Sequence, residues 1–199
     1  MRKIDFNFSE KIYSFEEIDN YYNETRRSIE TRFSKGRNIN YYYEFLLWSE
    51  TQINQLQEQL LSELSMTASF QTLACIESMF RTDFIVRCQL KKRDYLSKEF
   101  RVIYKSTRMV YSYRLKEDIL EKWKNYKPIY GELIDRIREA FDFRNWYAHG
   151  RYWDFEGRTN LRKFNFPSIQ SMRDAFLEII KPQLLLVDGF GDSDYNWKR

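Results

Sequence analysis

Apolar residues recur three and four positions apart along most of this chain, which is the spacing of helices that bury one face. Ser14 and Glu17 form a capping-box pattern, so a first helix is predicted from there to about residue 34. The same spacing predicts a second helix over residues 40–65 and a third over residues 67–92. The third is apolar around most of its circumference and is expected to be the central helix.

The second half of the chain is predicted to fold as shorter helices, because the apolar spacing is broken several times. The expected helices cover about residues 98–105, 115–125, 130–143 and 167–186. Pro182 is a late kink or stop in the last of them. Residues 151–166 show no helical period and are expected to be irregular or to form a short hairpin. We therefore predict one all-α helical bundle over residues 1–187 and a flexible tail over residues 188–199.

Composition supports a helical fold and excludes several others. Six glycines and three prolines in 199 residues are too few for a β-sandwich or barrel, which needs a turn about every 8–12 residues. No glycine-rich phosphate-binding loop is present, so the usual nucleotide-binding α/β folds are also excluded. The longest purely apolar runs, such as Leu184–Val187, are far shorter than the ~20 residues that span a bilayer. No membrane partner and no secretory signal are therefore expected.

The cysteine and histidine content argues against a disulfide framework and against a zinc site. Cys75 and Cys88 lie in an apolar helical stretch, where buried reduced thiols are expected. A single histidine and two separated cysteines do not supply the ligands of a zinc site. We therefore expect a cytoplasmic protein that uses neither a metal ion nor another cofactor.

Positive charge is concentrated in the middle of the chain. Residues 81–114 contain ten basic and three acidic side chains, although the whole chain has a net charge of only +4. Tyrosines are interspersed among these cations, and such a surface suits single-stranded RNA, whose phosphates bind cations and whose bases stack on aromatic rings. A basic face that contacts only solvent is the alternative. The residues predicted to bind RNA here are Arg87, Lys91, Lys92 and Arg93.

The most informative stretch runs from Phe143 to Trp153 and contains the one histidine of the chain. Arg144 and His149 are about 140° apart on an ideal helix, so they share a site only if the helix is distorted. Gly150 permits a sharp exit that would let both side chains converge at the helix end. Arginine neutralises phosphate charge and histidine transfers protons, so the pair can cleave RNA without a metal ion. Such cleavage needs a base and an acid, so one histidine per chain indicates a dimer.

Arg144-Asn145-x-x-x-His149 resembles the R-polar-x-x-x-H signature of the HEPN superfamily. The stretch from Phe100 to Trp153 is also similar to a group of uncharacterised bacterial HEPN proteins. The resemblance implies a helical bundle that forms a homodimer and brings two motifs into one cleft. It further implies a metal-independent endoribonuclease of a toxin–antitoxin or antiphage defence system, with RNA and an antitoxin or defence-system protein as partners. Arg144 and His149 would then be catalytic, and Asn145 would be their supporting polar residue.

HEPN proteins often carry an acidic or polar residue on an earlier core helix, and Glu77 is the candidate here. It interrupts a predicted apolar stripe, so its carboxylate needs a partner inside the fold. Arg81, four residues later, is a purely structural partner. Arg144 or His149 would be a functional partner.

Residues that follow the motif are candidates for guiding RNA into the cleft. Arg151 and Tyr152 are assigned this role, and Trp153 either shares it or covers the core. Two other functions stay open on sequence grounds. One is a non-catalytic HEPN-like module that binds RNA, a nucleotide or a partner protein. The other, a helical regulator of duplex DNA, is weaker because no helix-turn-helix spacing is evident.

Overall fold

The computed structural model describes residues 14–90, 92–106, 113–151, 153–155 and 161–186. These residues form helices and no strand, so the predicted all-α fold is confirmed for the described part of the chain. The helices are α1 (Phe15–Arg32), α2 (Tyr41–Glu44), α3 (Glu50–Leu90), α4 (Tyr95–Ser106), α5 (Glu121–Tyr126), α6 (Gly131–Ala148) and α7 (Phe166–Ile179). The described helices include none that is both long enough and apolar enough to cross a membrane.

Short helical segments complete the described chain. A π-helical turn at Leu115–Leu120 runs directly into α5, so the helix predicted over residues 115–125 forms with a distorted start. Turns of 3₁₀ helix occur at Pro128–Tyr130, Leu161–Phe164 and Lys181–Gln183. The described residues between α6 and α7 contain no strand, and residues 156–160, where the rest of the predicted hairpin would lie, fall outside the described ranges. The tail predicted over residues 188–199 also falls outside them.

The capping box predicted at the start of α1 is present. The Ser14 hydroxyl accepts a hydrogen bond from the Glu17 N–H at 3.1 Å, and the Glu17 carboxylate accepts one from the Ser14 N–H at 2.8 Å. Two donors at the helix start are thereby satisfied. Asp19 in the following turn forms an ion pair of 2.8 Å with Arg173 of α7, which attaches α1 to the rest of the bundle.

α1 and α3 form a long helical hairpin. Ile18, near the start of α1, packs with Ala68 of α3. Phe33, just after α1, packs with Ile53 near the start of α3. The two helices therefore run antiparallel, and residues 33–49 connect them. We call residues 33–49, which include the short α2, the hairpin tip.

α3 is one continuous helix over Glu50–Leu90, so the prediction of two helices separated near residue 66 is wrong. No glycine or proline occurs within it, and its hydroxyl groups do not break it. The Ser69 hydroxyl, for example, donates to the Ser65 carbonyl one turn earlier at 2.8 Å. This polar side chain therefore has a hydrogen-bond partner without interrupting the helix. At about 1.5 Å per residue, α3 is roughly 60 Å long.

The helix predicted over residues 40–65 also begins later than expected. Tyr41–Glu44 forms only a single turn, and the chain becomes helical again at Glu50. Ser49 and Gln52 cap this start reciprocally. The Ser49 N–H donates to the Gln52 side chain at 2.9 Å, and the Gln52 N–H donates to the Ser49 hydroxyl at 3.3 Å. A capping box closed by glutamine therefore sets the boundary.

The main core lies where α3 to α7 meet. Its largest buried side chains are Phe80, Phe84, Phe100, Trp123, Phe141, Phe143 and Phe176. Their rings pack at an angle, as Phe84 does against Phe100 with ring centres 4.9 Å apart. α6 continues to Ala148, beyond its predicted end at Phe143, because Trp146 in the next turn is also buried. The candidate motif therefore begins inside a helix rather than at its end.

α7 begins where Pro167 predicts and ends earlier than expected. Asn165 caps it, since its side chain accepts from the Ser168 N–H at 3.0 Å. The helix ends at Ile179, and Pro182 lies in the 3₁₀ turn that follows. Of the two roles offered for Pro182, a kink or a stop, the structure shows the stop.

Candidate active site

α6 ends in a Schellman turn that leaves His149 at its C-cap. The Gly150 N–H donates to the Tyr147 carbonyl at 3.1 Å. The Arg151 N–H donates to the Trp146 carbonyl at 3.0 Å, which completes the motif. Gly150 has a φ of +75°, which glycine adopts without steric cost. The sharp exit predicted at Gly150 is therefore present, and it comes after His149, whose side chain is exposed.

Arg144 directs its guanidinium from α6 toward α3. Its Nη2 is 3.0 Å from Glu77 Oε2, and its Nη1 donates to the Asn145 side chain at 3.1 Å. The guanidinium carbon lies 5.6 Å from the centre of the Phe70 ring, a cation–π arrangement. Its Nε is buried and has no hydrogen-bond partner in the described part of the chain. These contacts hold the guanidinium in place while 28% of the side chain stays exposed.

Glu77 binds both of the arginines that the sequence offers as alternatives. Its Oε1 accepts from Arg81 Nε at 2.7 Å, and its Oε2 contacts Arg144. The Glu77 side chain is only 13% exposed, so the two cations offset the cost of burying its carboxylate. Two arginines on one carboxylate leave a net positive charge at this point of α3. Both predicted pairings are therefore formed.

Arg151 is attached to α3 in a similar way. Its Nη1 is 2.7 Å from Glu63 Oε1, and its guanidinium carbon lies 5.5 Å from the centre of the Tyr147 ring. The Tyr147 hydroxyl in turn shares a 2.9 Å hydrogen bond with Thr67 of α3. Arg151 has a φ of +55°, which is uncommon for a residue other than glycine. The pair with Glu63 helps to hold the chain in this conformation.

His149 and Trp153 lie side by side after the last turn of α6. Their ring centres are 6.1 Å apart. Trp146 Nε1 donates to the Trp153 carbonyl at 2.7 Å, which ties this segment back to the helix. Trp153 is 37% exposed, so part of its surface is accessible to solvent. Tyr152, the other aromatic residue assigned to RNA, lies outside the described residues.

The structure shows no direct contact between Arg144 and His149 of one chain. Among the described residues, neither a hydrogen bond nor an ion pair joins them. Glu77 draws Arg144 toward α3, whereas His149 lies beside Trp153 at the helix end. The bend at Gly150 follows His149 in the chain. The expected convergence at the helix end is therefore not supported by a described contact between the two side chains of one copy.

Arg87 is buried, which corrects its prediction as an RNA contact. Its Nε donates to both carboxylate oxygens of Asp83, at 2.8 and 3.0 Å. Its Nη2 donates to the Gln183 carbonyl at 2.6 Å, and its guanidinium carbon lies 5.5 Å from the centre of the Trp123 ring. A guanidinium enclosed in this way does not reach a phosphate. The sequence shows a cluster of cations but not which of them face the core.

The other cations predicted to bind RNA lie beyond the far end of α3. Lys92 and Arg93 are exposed, and the Lys92 carbonyl accepts from Arg101 Nη1 at 2.7 Å. They follow the end of α3, which is about 20 Å beyond Glu77 along the helix. Lys91 lies outside the described residues. Within one chain, Lys92 and Arg93 do not extend the candidate active site.

Both cysteines are buried thiols, as predicted. Burial raises the pKa of Cys75 to about 11 and the pKa of Cys88 to about 12. Both thiols are therefore protonated and unreactive at neutral pH. Among the described residues, no three side chains of histidine, cysteine, aspartate or glutamate are grouped so that they could hold a metal ion.

Three residues near the motif are not indicated by the sequence pattern. Glu63, Thr67 and Phe70 of α3 all contact the end of α6. Together with Glu77 they are spaced four, three and seven residues apart, which places them along one face of a helix. This spacing indicates a shared helix face only if α3 is continuous through residue 66, and the sequence pattern predicts a break there.

The chain matches no protein-family model, and searches of the curated proteins and of the solved structures found no match. A function is therefore inferred from the contacts described above and from the resemblance of the segment Arg144–His149 to the HEPN signature.

Proposed function

We propose that this protein is a metal-independent endoribonuclease of the HEPN type, which cleaves RNA at a site shared by two copies of the chain. The observation that carries the proposal is the contact between Glu77 and Arg144, which positions a guanidinium in the same motif as the exposed His149. Arg144 and His149 are the proposed catalytic residues, and Asn145 and Glu77 support them. The proposed role as a toxin or antiphage defence effector is supported only by the resemblance to HEPN proteins.

Arg144 is suited to stabilise the charge that accumulates on the phosphate during cleavage. Each Nη of a guanidinium carries two hydrogens. Glu77 contacts one Nη and Asn145 the other, so each Nη keeps a hydrogen for a phosphate oxygen. Glu77 also shares its charge with Arg81, so it neutralises Arg144 only in part. The guanidinium is positioned before the substrate arrives, which is the condition for electrostatic catalysis.

His149 is suited to proton transfer because its imidazole is exposed at the end of α6. In the proposed step, an imidazole accepts the proton of a ribose 2′-hydroxyl, and the 2′-oxygen attacks the adjacent phosphorus. The bond between phosphorus and the 5′-oxygen breaks, and a second imidazole gives a proton to that oxygen. The products are a 2′,3′-cyclic phosphate and a 5′-hydroxyl.

A second copy of the chain is part of the proposal, because each chain has one histidine. The reaction uses one imidazole as a base and another as an acid. A two-fold axis through the cleft would supply the same residues from both chains. It would also bring Arg144 toward the partner's His149, whereas no described hydrogen bond or ion pair joins the two residues within one chain.

The test is the cleavage of single-stranded RNA by the purified protein in the presence of EDTA. We expect His149→Ala and Arg144→Ala each to reduce the rate at least about a hundredfold, the usual effect of removing a group that acts on the reacting atoms. Arg136→Ala is the matched control, because Arg136 is an exposed cation earlier on α6. Wild-type rates in both variants would disprove the mechanism. Loss of cleavage in EDTA would disprove the metal-independent step.

Dependence on two copies is tested by dilution of the wild-type protein. If the site is shared, the cleavage rate per chain falls once the concentration is below the dissociation constant of the dimer. A rate per chain that stays constant through this range would show that one copy is sufficient.

A non-catalytic module that binds RNA, a nucleotide or a partner protein is the second candidate function. It is favoured by one observation, the lack of a described hydrogen bond or ion pair between Arg144 and His149 within the chain. This candidate predicts RNA binding that depends on Arg144 and Arg151 but gives no products. A stable complex in a gel-shift experiment, with intact RNA after long incubation, would favour it over the ribonuclease.

A further inference from the structure

The most prominent surface feature outside the candidate active site is the hairpin tip. Twelve large apolar side chains are exposed in the described part of the chain, and six of them fall within residues 39–48. Their exposed fractions range from 45% for Trp48 to 97% for Ile39. The six are Ile39, Tyr42, Tyr43, Leu46, Leu47 and Trp48. Single exposed apolar side chains are common in proteins, but a concentration of this size indicates a contact surface.

The tip is a preformed structure with its own small interior. Phe33 and Phe45 stack with ring centres 5.3 Å apart, and both belong to a small apolar cluster with Ile53. Asn38 fixes the preceding turn by donating to the Arg32 carbonyl at 2.7 Å. Because the segment is ordered by its own contacts, it loses little conformational entropy when it meets a partner.

The exposed apolar surface of the tip is large enough for a stable interface. Aromatic side chains bury about 150–250 Å² each, so Tyr42, Tyr43 and Trp48 at these exposures present roughly 400 Å². Ile39, Leu46 and Leu47 add to this area, since each is at least 75% exposed. The total is at least as large as the ~300–600 Å² of the largest apolar patch on an ordinary monomer, and it is comparable with the ~800 Å² that each partner buries in an interface of standard size.

The charges around the tip are largely neutralised within the chain. Arg32 pairs with Glu44 at 2.6 Å, and Lys35 pairs with Glu50 at 2.7 Å. RNA or an anionic membrane would require a cluster of free cations. Of the two cations within the tip, Lys35 is paired and Arg37 has no ion pair among the described contacts, so no such cluster is present. A contact between two identical surfaces requires instead that few like charges face each other, so an apolar centre with mostly paired charges favours a second copy of the same chain.

A polar groove borders the apolar residues of the tip. It has a volume of about 550 Å³ and is lined by side chains that include Arg27, Arg37 and Asn40. An apolar centre with a polar and solvent-accessible edge is the usual composition of a protein–protein interface. The tip and its groove have this arrangement.

We propose that the hairpin tip is a contact surface between two copies of this chain. The six apolar side chains of one tip pack against those of the other across a two-fold axis, and the polar groups of the groove remain at the edge. The surface is separate from Arg144 and His149, so the proposal does not depend on the ribonuclease function. It adds a second self-association contact to the one that a shared active site requires.

The test is the mass of the full chain in solution, measured by sedimentation velocity at about 1–100 µM, where contacts of moderate affinity are at equilibrium. Leu46→Glu combined with Leu47→Glu places charge in the tip without altering the core, because both side chains are exposed. Ile129→Glu is the matched control, since Ile129 is 70% exposed on a different part of the surface. We expect the double variant to associate at least about tenfold more weakly and the control to associate like wild type.

Cross-linking gives an independent measurement. Cys75 and Cys88 are buried, so Leu47→Cys introduces an accessible thiol. We expect oxidation to produce a covalent dimer from Leu47→Cys and none from Ile129→Cys. A wild-type chain that stays monomeric at the highest concentration would overturn the proposal. Binding of RNA or anionic vesicles to the tip of such a monomer would not rescue it. A folded Leu46→Glu/Leu47→Glu protein that associates like wild type would overturn it as well.

Discussion

At the scale of single residues, Glu77 determines where the Arg144 guanidinium lies. The motif supplies Arg144, but a carboxylate on a different helix orients it at 3.0 Å, and the neighbouring Asn145 side chain takes another edge. Arg81 shares the carboxylate at 2.7 Å. A positioned guanidinium of this kind loses little freedom when it binds a phosphate. The properties of the site therefore depend on a residue outside the motif.

Replacement of Glu77 by glutamine tests this dependence. We expect Glu77→Gln to lower kcat for RNA cleavage about tenfold with a smaller change in KM, because the guanidinium is displaced from the reacting phosphate. We also expect the free energy of unfolding to fall by about 1–3 kcal/mol, since two arginines lose a mostly buried carboxylate. Urea unfolding and steady-state kinetics measure the two effects.

Glu63→Gln is the matched control for this substitution. The Glu63–Arg151 pair is about as close as the Glu77 pairs but much more exposed, so its loss is expected to cost less than about 1 kcal/mol. Equal losses of stability in the two variants would contradict the expectation that the Glu77 carboxylate stabilises the fold more than the Glu63 carboxylate does.

At the scale of helices, local signals predict the boundaries, and tertiary contacts account for the errors. The start of α1 follows from Ser14 and Glu17, whose capping bonds lie within one turn. The continuity of α3 is not predictable from local signals, because its polar residues near position 66 form hydrogen bonds with a distant part of the chain. The single hydrogen of the Ser69 hydroxyl is shared between the Ser65 carbonyl and the Phe164 carbonyl, which is 2.9 Å away, and the Ser65 hydroxyl accepts from the Phe166 N–H at 2.8 Å. No local pattern contains these partners.

In the candidate site, too, local signals are predictable from the sequence and tertiary contacts are not. Arg144 and His149 are predictable from sequence because they belong to one short motif. Glu77 is predictable as a carboxylate that needs a partner, but the choice between its partners depends on how α6 crosses α3. The contacts of Glu63 and Phe70 depend on the same crossing. Sequence therefore predicts the candidate reactive groups and Glu77, but it does not predict Glu63 and Phe70 or which partners Glu77 contacts.

The need for a glycine in the Schellman turn after α6 can be tested by substitution. Gly150 has a φ of +75°, and beyond its two chain neighbours no heavy atom of the described structure lies within 4 Å of the Cβ that an alanine would add. The cost of Gly150→Ala is therefore purely conformational, and we expect the free energy of unfolding to fall by about 1–2 kcal/mol. Gly131→Ala is the control, because Gly131 has a helical φ of −55° and also has open space around it.

We expect Gly131→Ala to be stabilising by about 0.4–1 kcal/mol, since alanine restricts the unfolded chain and suits a helix. Thermal or urea unfolding of the two variants checks the prediction. A Gly150→Ala protein as stable as Gly131→Ala would show that the turn does not require a left-handed residue.

At the scale of the whole molecule, one buried ion pair joins parts of the chain that are distant in sequence. Asp83 of α3 accepts from Arg87 Nε, from Trp123 Nε1 at 3.2 Å and from the Leu185 N–H at 2.7 Å. Arg87 also contacts Asp94, just before α4, at 3.2 Å. α3, α5 and the chain after α7 are therefore connected through a single carboxylate.

This carboxylate gives stability a defined dependence on pH. Burial raises the pKa of Asp83 from its ordinary value of 3.8 to about 6, against the opposing effect of Arg87. The folded protein therefore binds this proton more tightly than the unfolded chain does. The resulting stabilisation is complete below about pH 4 and is lost as the pH rises through about 6.

Asp83→Asn removes this titration and serves as the reference. We expect the free energy of unfolding of wild type, relative to that of Asp83→Asn, to increase as the pH is lowered from about 7 to about 4. Urea unfolding at a series of pH values measures the difference. A difference that is constant or that decreases over this range would contradict the assignment.

The continuity of α3 fixes the angle between the hairpin tip and the candidate active site. Each residue of a helix adds about 100° of rotation and 1.5 Å of length. One residue inserted between Ile53 and Glu63 would rotate one end of α3 relative to the other by about 100°. Since the α1 arm of the hairpin contacts α3 both at Ile53 and at Ala68, it could no longer match both ends of α3 at once. The number of residues between these two contacts therefore keeps the hairpin tip in register with the part of α3 that carries Glu63 and Glu77, whichever side chains lie between them.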